Sequence, residues 1–272
     1  MMHADANPIR DCLRAAGVRS RPRASRLEHP GGPPANRRAG RTIMAATLAA
    51  CLLAPIAARA GELHGQMSLA SQLVDRGLAI TAATPALQGA VAWTTPSGWS
   101  LGVSGGIELR SPGHLAAGVA HAAHAWTLSP NWRMQADVVY YHYAGRLRAN
   151  VYEPGVYWLY RDILTFGLSG VYFAGAEEHK LHPAADLNFH WPLAGDFSLS
   201  GGLGIARYAV PYGRQAYDRN RTGYYRYGEA GLLWNHGAWQ IEVDRVVVDP
   251  NARRYLRSLV ASPWLATISR SF

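Results

Sequence analysis

The sequence predicts an all-β protein, an antiparallel up-and-down transmembrane β-barrel of about twelve strands formed by residues 61–272. Three observations support this fold: apolar and polar residues alternate with period two, connections alternate between short and long, and the chain begins with an export leader. Barrels of the outer membrane have short periplasmic turns, longer external loops and an even number of strands. All three observations agree with that architecture.

The N-terminal leader is predicted from charge and hydropathy. An apolar run over 43–56 follows a group of arginines and precedes Ala58-Arg59-Ala60. A positive segment, a short apolar core and a small-x-small site are typical of a secretory signal peptide. We therefore interpret 37–60 as a cleaved signal peptide, and 1–36, rich in Arg, Pro and Gly, as a disordered extension or a misassigned start. The rest is expected in the outer membrane of a Gram-negative bacterium.

The charge and the cysteines exclude several classes of function. Residues 1–60 hold ten arginines against three carboxylates and so supply +7 of the formal net charge of +9. The net charge of +2 that remains for residues 61–272 is too small to indicate a basic surface for nucleic acid. Both cysteines, Cys12 and Cys51, lie in the leader, so the barrel region has neither a disulfide framework nor a thiolate metal site. Leu48-Ala-Ala-Cys51 resembles a lipobox, but the apolar run continues beyond it, which favours the signal peptide.

Twelve segments show the alternation expected of strands. The clearest is 99–109, where the odd positions are Trp, Leu, Val, Gly, Ile and Leu and the even positions are polar or small. No apolar run reaches the ~18 residues of a spanning helix. The predicted strands are 63–73, 87–93, 99–109, 115–126, 132–138, 151–160, 164–172, 185–191, 197–205, 225–234, 239–244 and a last one that ends at Phe272.

The connections set the strand count and the orientation. Tight turns are predicted at 96–98, 129–131, about 161–162, 193–196 and 235–237, and longer polar loops at 80–86, 110–114, 144–150, 174–182, 209–223 and 247–260. Over 212 residues, twelve strands leave about 18 residues for each strand with its connection, against roughly 9–11 for the spanning part. Ten or fourteen strands also remain open.

The apolar strand face carries residues typical of a membrane interface. Large aromatic residues lie beside the short turns, where an aromatic girdle is expected; they are Trp93, Trp99, Trp126, Trp132, Trp191, Phe197, Trp234 and Trp239. The chain ends with Trp264, Ile268 and Phe272 in one parity. This ending resembles the signal that the barrel assembly machinery reads, although Arg270 replaces an apolar residue.

The opposite face predicts a charged lumen. The residues assigned inward with charge are Arg76, Glu108, Arg133, Asp137, Asp186, Glu229, Glu242 and Asp244. Six carboxylates against two arginines leave a surplus of four negative charges. Charged side chains inside a barrel must be paired or hydrated. Two interpretations therefore stay open: a water-filled, cation-preferring passage, or an interior plugged by arginine–carboxylate pairs.

The long loops are predicted to be basic on the external side. Their arginines are Arg110, Arg146, Arg148, Arg214, Arg219, Arg221, Arg253 and Arg254, and Lys180 adds a further cation. Guanidinium groups suit bidentate contacts with phosphate. We therefore expect lipopolysaccharide to be a partner of this rim.

The opening of the predicted barrel resembles a known family. Ser68–Gly77, Thr84–Gly89, and Trp93 onward through the Gly-rich 99–103 are similar to the start of the TorF-like porins of Gram-negative outer membranes. Val74-Asp75 replaces the family's aromatic neighbourhood before Arg76-Gly77, and its acidic motifs after the third strand are reduced to Glu108. The resemblance implies a barrel and a passive channel for small polar or charged solutes, without naming a solute.

Enzyme and metal alternatives have weaker support. One class of outer-membrane lipid hydrolase also has twelve strands, with His and Ser two positions apart on one strand face. None of the eleven histidines here is followed by Ser at that spacing, and His142-Tyr-Ala144 lacks the nucleophile. Two histidine pairs, His121 with His124 and His179 with His182 beside Glu177 and Glu178, are interpreted as ordinary strand or loop residues. We expect no catalytic site, metal or cofactor.

The mature protein is predicted to begin at Gly61, because Ala58-Arg59-Ala60 places the cleavage site immediately before it. N-terminal sequencing of the protein from the envelope fraction checks this. Recovery of an intact 1–60 segment, or of a lipid on Cys51, would contradict it.

Overall fold

The structure is a computed structural model that describes residues 61–110, 114–145, 149–174, 180–207, 224–256 and 259–272. The predicted leader lies outside these residues and stays a prediction. So do five of the basic loop residues, namely Arg146, Arg148, Arg214, Arg219 and Arg221.

Among the described residues, twelve strands form one closed antiparallel barrel, and two short ones, β2 (Val74–Asp75) and β3 (Leu78–Ala79), form a separate hairpin. The barrel strands are β1 (Glu62–Ala70), β4 (Ala86–Thr94), β5 (Trp99–Glu108), β6 (Leu115–Ser129), β7 (Trp132–Tyr143), β8 (Ala149–Tyr160), β9 (Leu164–Ala174), β10 (His182–Pro192), β11 (Phe197–Arg207), β12 (Tyr224–His236), β13 (Trp239–Val248) and β14 (Trp264–Ser271). Each pairs with the next along the chain, and β1 also pairs with β14, which closes the barrel. The predicted fold class is confirmed.

Burial alternates along the barrel strands, and the apolar face points outward. In β13, for example, Trp239, Ile241 and Val243 are exposed, whereas Glu242 and Asp244 are buried. Such an inverted pattern is expected when the outside of the barrel contacts lipid. Six of the predicted girdle aromatics are exposed beside the short turns; they are Trp99, Trp126, Trp132, Trp191, Phe197 and Trp239.

The predicted first strand is too long, because the chain turns into the barrel after Ala70. β1 pairs with β4 from Glu62↔Thr94 to Ala70↔Ala86. Residues 71–85 therefore connect two neighbouring positions of the sheet, Ala70 and Ala86. They fold inward as a hairpin of two short strands, β2 (Val74–Asp75) and β3 (Leu78–Ala79). The apolar residues of this loop are buried inside the barrel, including Leu73, which was predicted from sequence to end the first strand.

An apolar core fills the lumen at the external end. From the hairpin loop, Leu73 is 1 % exposed and Ile80 is 0 % exposed, and Leu78 is also buried. They belong to one cluster with inward residues near the external ends of the wall strands, including Val119, Val139, Tyr141, Tyr143, Val151, Val171, Tyr225 and Val248. The hairpin is thus packed as a core element and does not lie loosely at the mouth.

The loop between β13 and β14 packs on this hairpin. Leu78 bridges Val260, the amide of Ala79 donates to the Leu259 carbonyl at 2.7 Å, and the amide of Ala261 donates to the Gly77 carbonyl at 3.0 Å. We name residues 71–85 the plug loop and residues 249–263 the closing loop. The two external loops that flank the β1–β14 pairing are therefore joined inside the barrel.

The closing loop contains a helix that the periodicity did not predict, α1 (Pro250–Tyr255). Proline suits the first helical position, and the amide of Arg253 donates to the Asp249 carbonyl at 3.0 Å. Six residues are too few to show a helical period. Among the residues that the structure describes, no helix is long and apolar enough to cross a membrane.

Deleting Phe272 is predicted to lower the amount of folded barrel in membranes. Gly65 and Phe272 exchange two backbone hydrogen bonds, at 2.9 and 3.0 Å, and the Phe272 ring covers the Cα of Gly65, where a Cβ would lie 2.2 Å from the ring. The deletion removes the last link of the β1–β14 seam. Heat-modifiable mobility on gels measures the folded fraction.

The matched control is Phe272→Tyr, which keeps the ring and the backbone pairing and should assemble like the parent. Equal folded yields for the deletion and the parent would contradict a role for the terminal residue.

Candidate functional site in the barrel lumen

The candidate site is centred on Arg76, at the tip of the plug hairpin. Its guanidinium contacts four residues of the barrel wall: Glu153 of β8, Ser169 of β9, Asp186 of β10 and Tyr227 of β12. Nη1 donates to Glu153 Oε2 at 3.1 Å, Nη2 donates to Asp186 Oδ2 at 2.9 Å and to Ser169 Oγ at 3.2 Å, and Nε donates to Tyr227 Oη at 3.2 Å. We name these four wall residues the arginine pocket.

The turn that presents Arg76 has an unusual backbone. Arg76 and Gly77 are its two central residues, with φ of 48° and 74°. Two-residue turns of this kind favour Asn-Gly because both positions have positive φ. Gly77 meets this need, and it also lies so close to the wall that a Cβ would be 2.7 Å from Val248. An arginine in the left-handed region is uncommon.

Burial makes the charge pairing of Arg76 obligatory. Its side chain is 5 % exposed, and those of Glu153 and Asp186 are each 3 % exposed. Burial alone disfavours the charged guanidinium, but Asp186, Glu153 and Asp75 outweigh that effect and raise the pKa of Arg76 above its ordinary value. Arg76 is therefore cationic, and the plug loop supplies the cation that pairs with both pocket carboxylates.

Two further contacts hold the plug loop to the wall. Tyr143 Oη donates to Asp75 Oδ2 at 2.9 Å, beside the core cluster. Thr84, near the end of the plug loop, hydrogen-bonds the carboxylate of Glu108 at the external end of β5. Glu108, which was predicted to line the lumen, is thus an anchor of the plug loop near the external rim.

The other predicted lumen residues lie on the inner wall between the pocket and the periplasmic turns. Glu242 and Asp244 are each 2 % exposed, and Glu242 accepts a hydrogen bond from Ser200 Oγ at 2.8 Å. Asp137 is also buried, whereas Glu229 is partly exposed and its Oε1 lies against Gly202. These carboxylates share one half of the lumen.

Arg133 does not join that group. It is partly exposed and pairs with Asp162, which lies in the periplasmic turn between β8 and β9. Of the two arginines predicted to face inward, only Arg76 therefore lies among the central carboxylates. Arg133 instead forms an ion pair at the periplasmic rim.

Sequence reasoning missed Glu153, which contacts Arg76 most extensively. It lies in β8, a strand with many aromatic residues whose alternation is weak. The only available signal was its parity with Val151, since both side chains are buried and point inward. A carboxylate at that parity predicts a partner, but nothing in the sequence indicates that the partner is Arg76.

The lumen wall combines small residues with buried polar atoms. The inward positions of β5 are Ser100, Gly102, Ser104 and Gly106. The glycines make room for other side chains, since a Cβ on Gly102 would lie 2.2 Å from the His121 ring. Ser68 Oγ, both amide atoms of Gln88 and His121 Nε2 are buried without a hydrogen-bonding partner among the described residues. Buried polar groups nearly always bond to protein or water, so we infer that water reaches these positions of the lumen wall.

The remaining candidates are dispersed. Arg110, Arg253 and Arg254 are exposed on external connections. His121 points into the lumen, whereas His124 contacts the rings of Trp99 and Trp126 on the outer face. Of the second predicted group, only His182 is described, because Glu177, Glu178 and His179 lie outside the described part of the chain. Within the part that is described, no group of three or more His, Cys, Asp or Glu could hold a metal.

Comparison with known proteins supports the fold. No family model and no curated protein matches the sequence. The structure is similar to that of the NanC porin, with TM-score 0.50, 14 % identity and coverage of 78 % of this chain and 99 % of that one. It also matches the KdgM porin, at TM-score 0.47, 9 % identity and coverage of 77 % and 98 %. Pseudomonas aeruginosa OprD matches at TM-score 0.35, 10 % identity and coverage of 76 % and 66 %.

The variant Glu153→Gln is predicted to destabilise the barrel by about 3 kcal/mol, because it removes two charge-assisted hydrogen bonds from the buried guanidinium of Arg76. Urea unfolding of the protein in lipid vesicles, followed by tryptophan fluorescence, measures the free energy of unfolding. Asp162→Asn, which breaks the exposed rim pair with Arg133, is the control and should lose less than about 1 kcal/mol. Equal losses for the two variants would refute the central role of the pocket.

Proposed function

We propose that the protein is an outer-membrane channel for small polar or charged solutes and that it prefers cations. The observation that carries this proposal is the charge of the lumen. Inward positions of the described strands and the plug loop hold eight carboxylates, the six predicted ones with Glu153 and Asp75, against Arg76 and Arg133. Carboxylates in a pore favour cations, and low-dielectric walls focus their field.

The family and the location are part of the same proposal. The residues of the first strands resemble TorF-like porins, and the solved structures similar in fold include proteins named porins. The barrel with its apolar exterior, together with the predicted signal peptide, supports placement in the outer membrane of a Gram-negative bacterium. The lumen, and not the likeness, is the reason for proposing a channel.

A second candidate function is supported by the packing of the plug loop. Its apolar residues and the Arg76 pairs fill the external half of the lumen, as a purely structural barrel would require. We reconcile the two by placing the constriction of the channel at the plug loop. Conduction then depends on how far residues 71–85 leave the wall.

Two partners complete the proposal. The barrel assembly machinery would read the outward-facing Trp264, Ile268 and Phe272 of the last strand, all exposed. Lipopolysaccharide phosphates would be bound by external arginines, of which Arg110, Arg253 and Arg254 are exposed. No nucleic acid is expected as a partner.

The channel is predicted to conduct weakly as it stands and strongly when the plug loop is replaced. Because Ala70 pairs with Ala86, an Asn-Gly turn can replace residues 71–85 without changing the register. Single-channel recordings in planar bilayers compare the two proteins, and reversal potentials in asymmetric KCl give the selectivity. Cation preference in both proteins is the expected result.

Anion preference would overturn the assignment of lumen charge. Failure of the folded loop-replaced variant to conduct would refute the channel and favour the structural barrel. Heat-modifiable mobility confirms that the variant is folded.

A further inference from the structure

The arginine pocket is a receptor built by the wall for a group supplied by a loop. Its four side chains come from four barrel strands, whose positions are set by the sheet. Ser169 Oγ donates to Glu153 Oε1 at 2.6 Å, so part of the pocket is held together without the hairpin. The guanidinium reaches it only because residues 71–85 fold inward.

The arrangement of acceptors in the pocket fits a planar guanidinium. Glu153 accepts from both terminal nitrogens of Arg76, and Asp186 and Ser169 accept from Nη2. Tyr227 accepts from the N–H of Nε. Paired parallel bonds of this kind are specific to the fork of a guanidinium, whereas an ammonium is a point charge with three rotatable donors.

The turn itself gives no reason for an arginine. At φ 48°, Arg76 occupies a left-handed position that Asn or Gly adopts with less strain. A residue held in such a conformation indicates that its surroundings need that side chain. Here the need is charge, because the departure of Arg76 would leave Glu153 and Asp186 buried together without a cation.

We propose that the arginine pocket is the binding site for a guanidinium-bearing solute, and that Arg76 is a tethered ligand that occupies the pocket until such a solute replaces it. The inference rests on the proposed channel function and names its solute class. An uncompensated buried carboxylate pair is unfavourable, so the plug loop leaves the wall when another guanidinium takes its place. Solute binding and opening are thereby one event.

The first test empties the pocket. Arg76→Gly removes the side chain and suits the positive φ. Titration calorimetry on the folded variant, with agmatine as the guanidinium probe, should give saturable binding, and agmatine should raise its unfolding temperature. Tetramethylammonium, a cation without N–H donors, should do neither. The matched control Arg133→Gly removes the rim arginine and leaves the pocket filled, so it should bind agmatine more weakly than Arg76→Gly, because Arg76 competes for the pocket.

The pocket is then disabled in the same background. Arg76→Gly combined with Glu153→Gln and Asp186→Asn should bind agmatine at least about tenfold more weakly, because charge-assisted hydrogen bonds are lost. Equal affinities, or no saturable binding to Arg76→Gly, would overturn the proposal.

A second measurement keeps Arg76 in the arginine pocket and does not depend on the folding of Arg76→Gly. Leu78 is 8 % exposed beside the hairpin tip, and the only cysteines of the chain are Cys12 and Cys51. In the full chain carrying Cys12→Ser, Cys51→Ser and Leu78→Cys, agmatine should speed maleimide labelling severalfold over tetramethylammonium. Adding Glu153→Gln and Asp186→Asn should abolish this dependence, and equal rates with the two cations in the parent would contradict the proposal.

These readouts separate the two proposals. Conductance without agmatine binding retains the channel and rejects the guanidinium site. Agmatine binding without conductance in the loop-replaced variant retains the site and rejects the channel.

Discussion

The structure depends on one buried ion pair network, in which Arg76 pairs with both Glu153 and Asp186 near the centre of the barrel. A closed barrel of twelve strands has a wider interior than the space between the two sheets of a sandwich. That interior must be filled by side chains or by water. Carboxylates on the inner wall make simple apolar packing impossible at this level. The inward fold of residues 71–85 solves the problem by bringing a cation to them.

The network also divides the lumen into two environments. On its external side, Leu73, Leu78 and Ile80 pack with apolar wall residues. On its periplasmic side, Glu242, Asp244 and Asp137 lie among serines and glycines. Arg76 lies at the boundary, so its side chain meets low dielectric on one side and polar groups on the other, which strengthens its attraction to both carboxylates.

Local patterns predicted the wall well and the interior poorly. Alternation in segments such as 99–109 identifies a strand and its lipid-facing side, because the pattern arises from the pleat alone. The inward fold of the plug loop escaped prediction because Leu73, buried in the lumen, continues the alternation of the first predicted strand. Glu153 escaped because its significance depends on Arg76, 77 positions away in sequence. Arg270 departs from the usual terminal pattern, and its guanidinium lies 5.4 Å from the centre of the Trp239 ring, a contact that only pairing of β13 with β14 creates.

The bridge between Leu78 and Val260 has a consequence for the order of barrel biogenesis. The plug loop follows the first strand of the barrel, and the closing loop precedes the last, so the bridge spans the seam where the two ends of the sheet meet. While the seam is open for membrane insertion, these loops belong to opposite margins of the sheet and cannot make their hydrogen bonds. Docking of the two loops is therefore a late step of maturation, and it fastens the seam from inside once the first and last strands have zipped together.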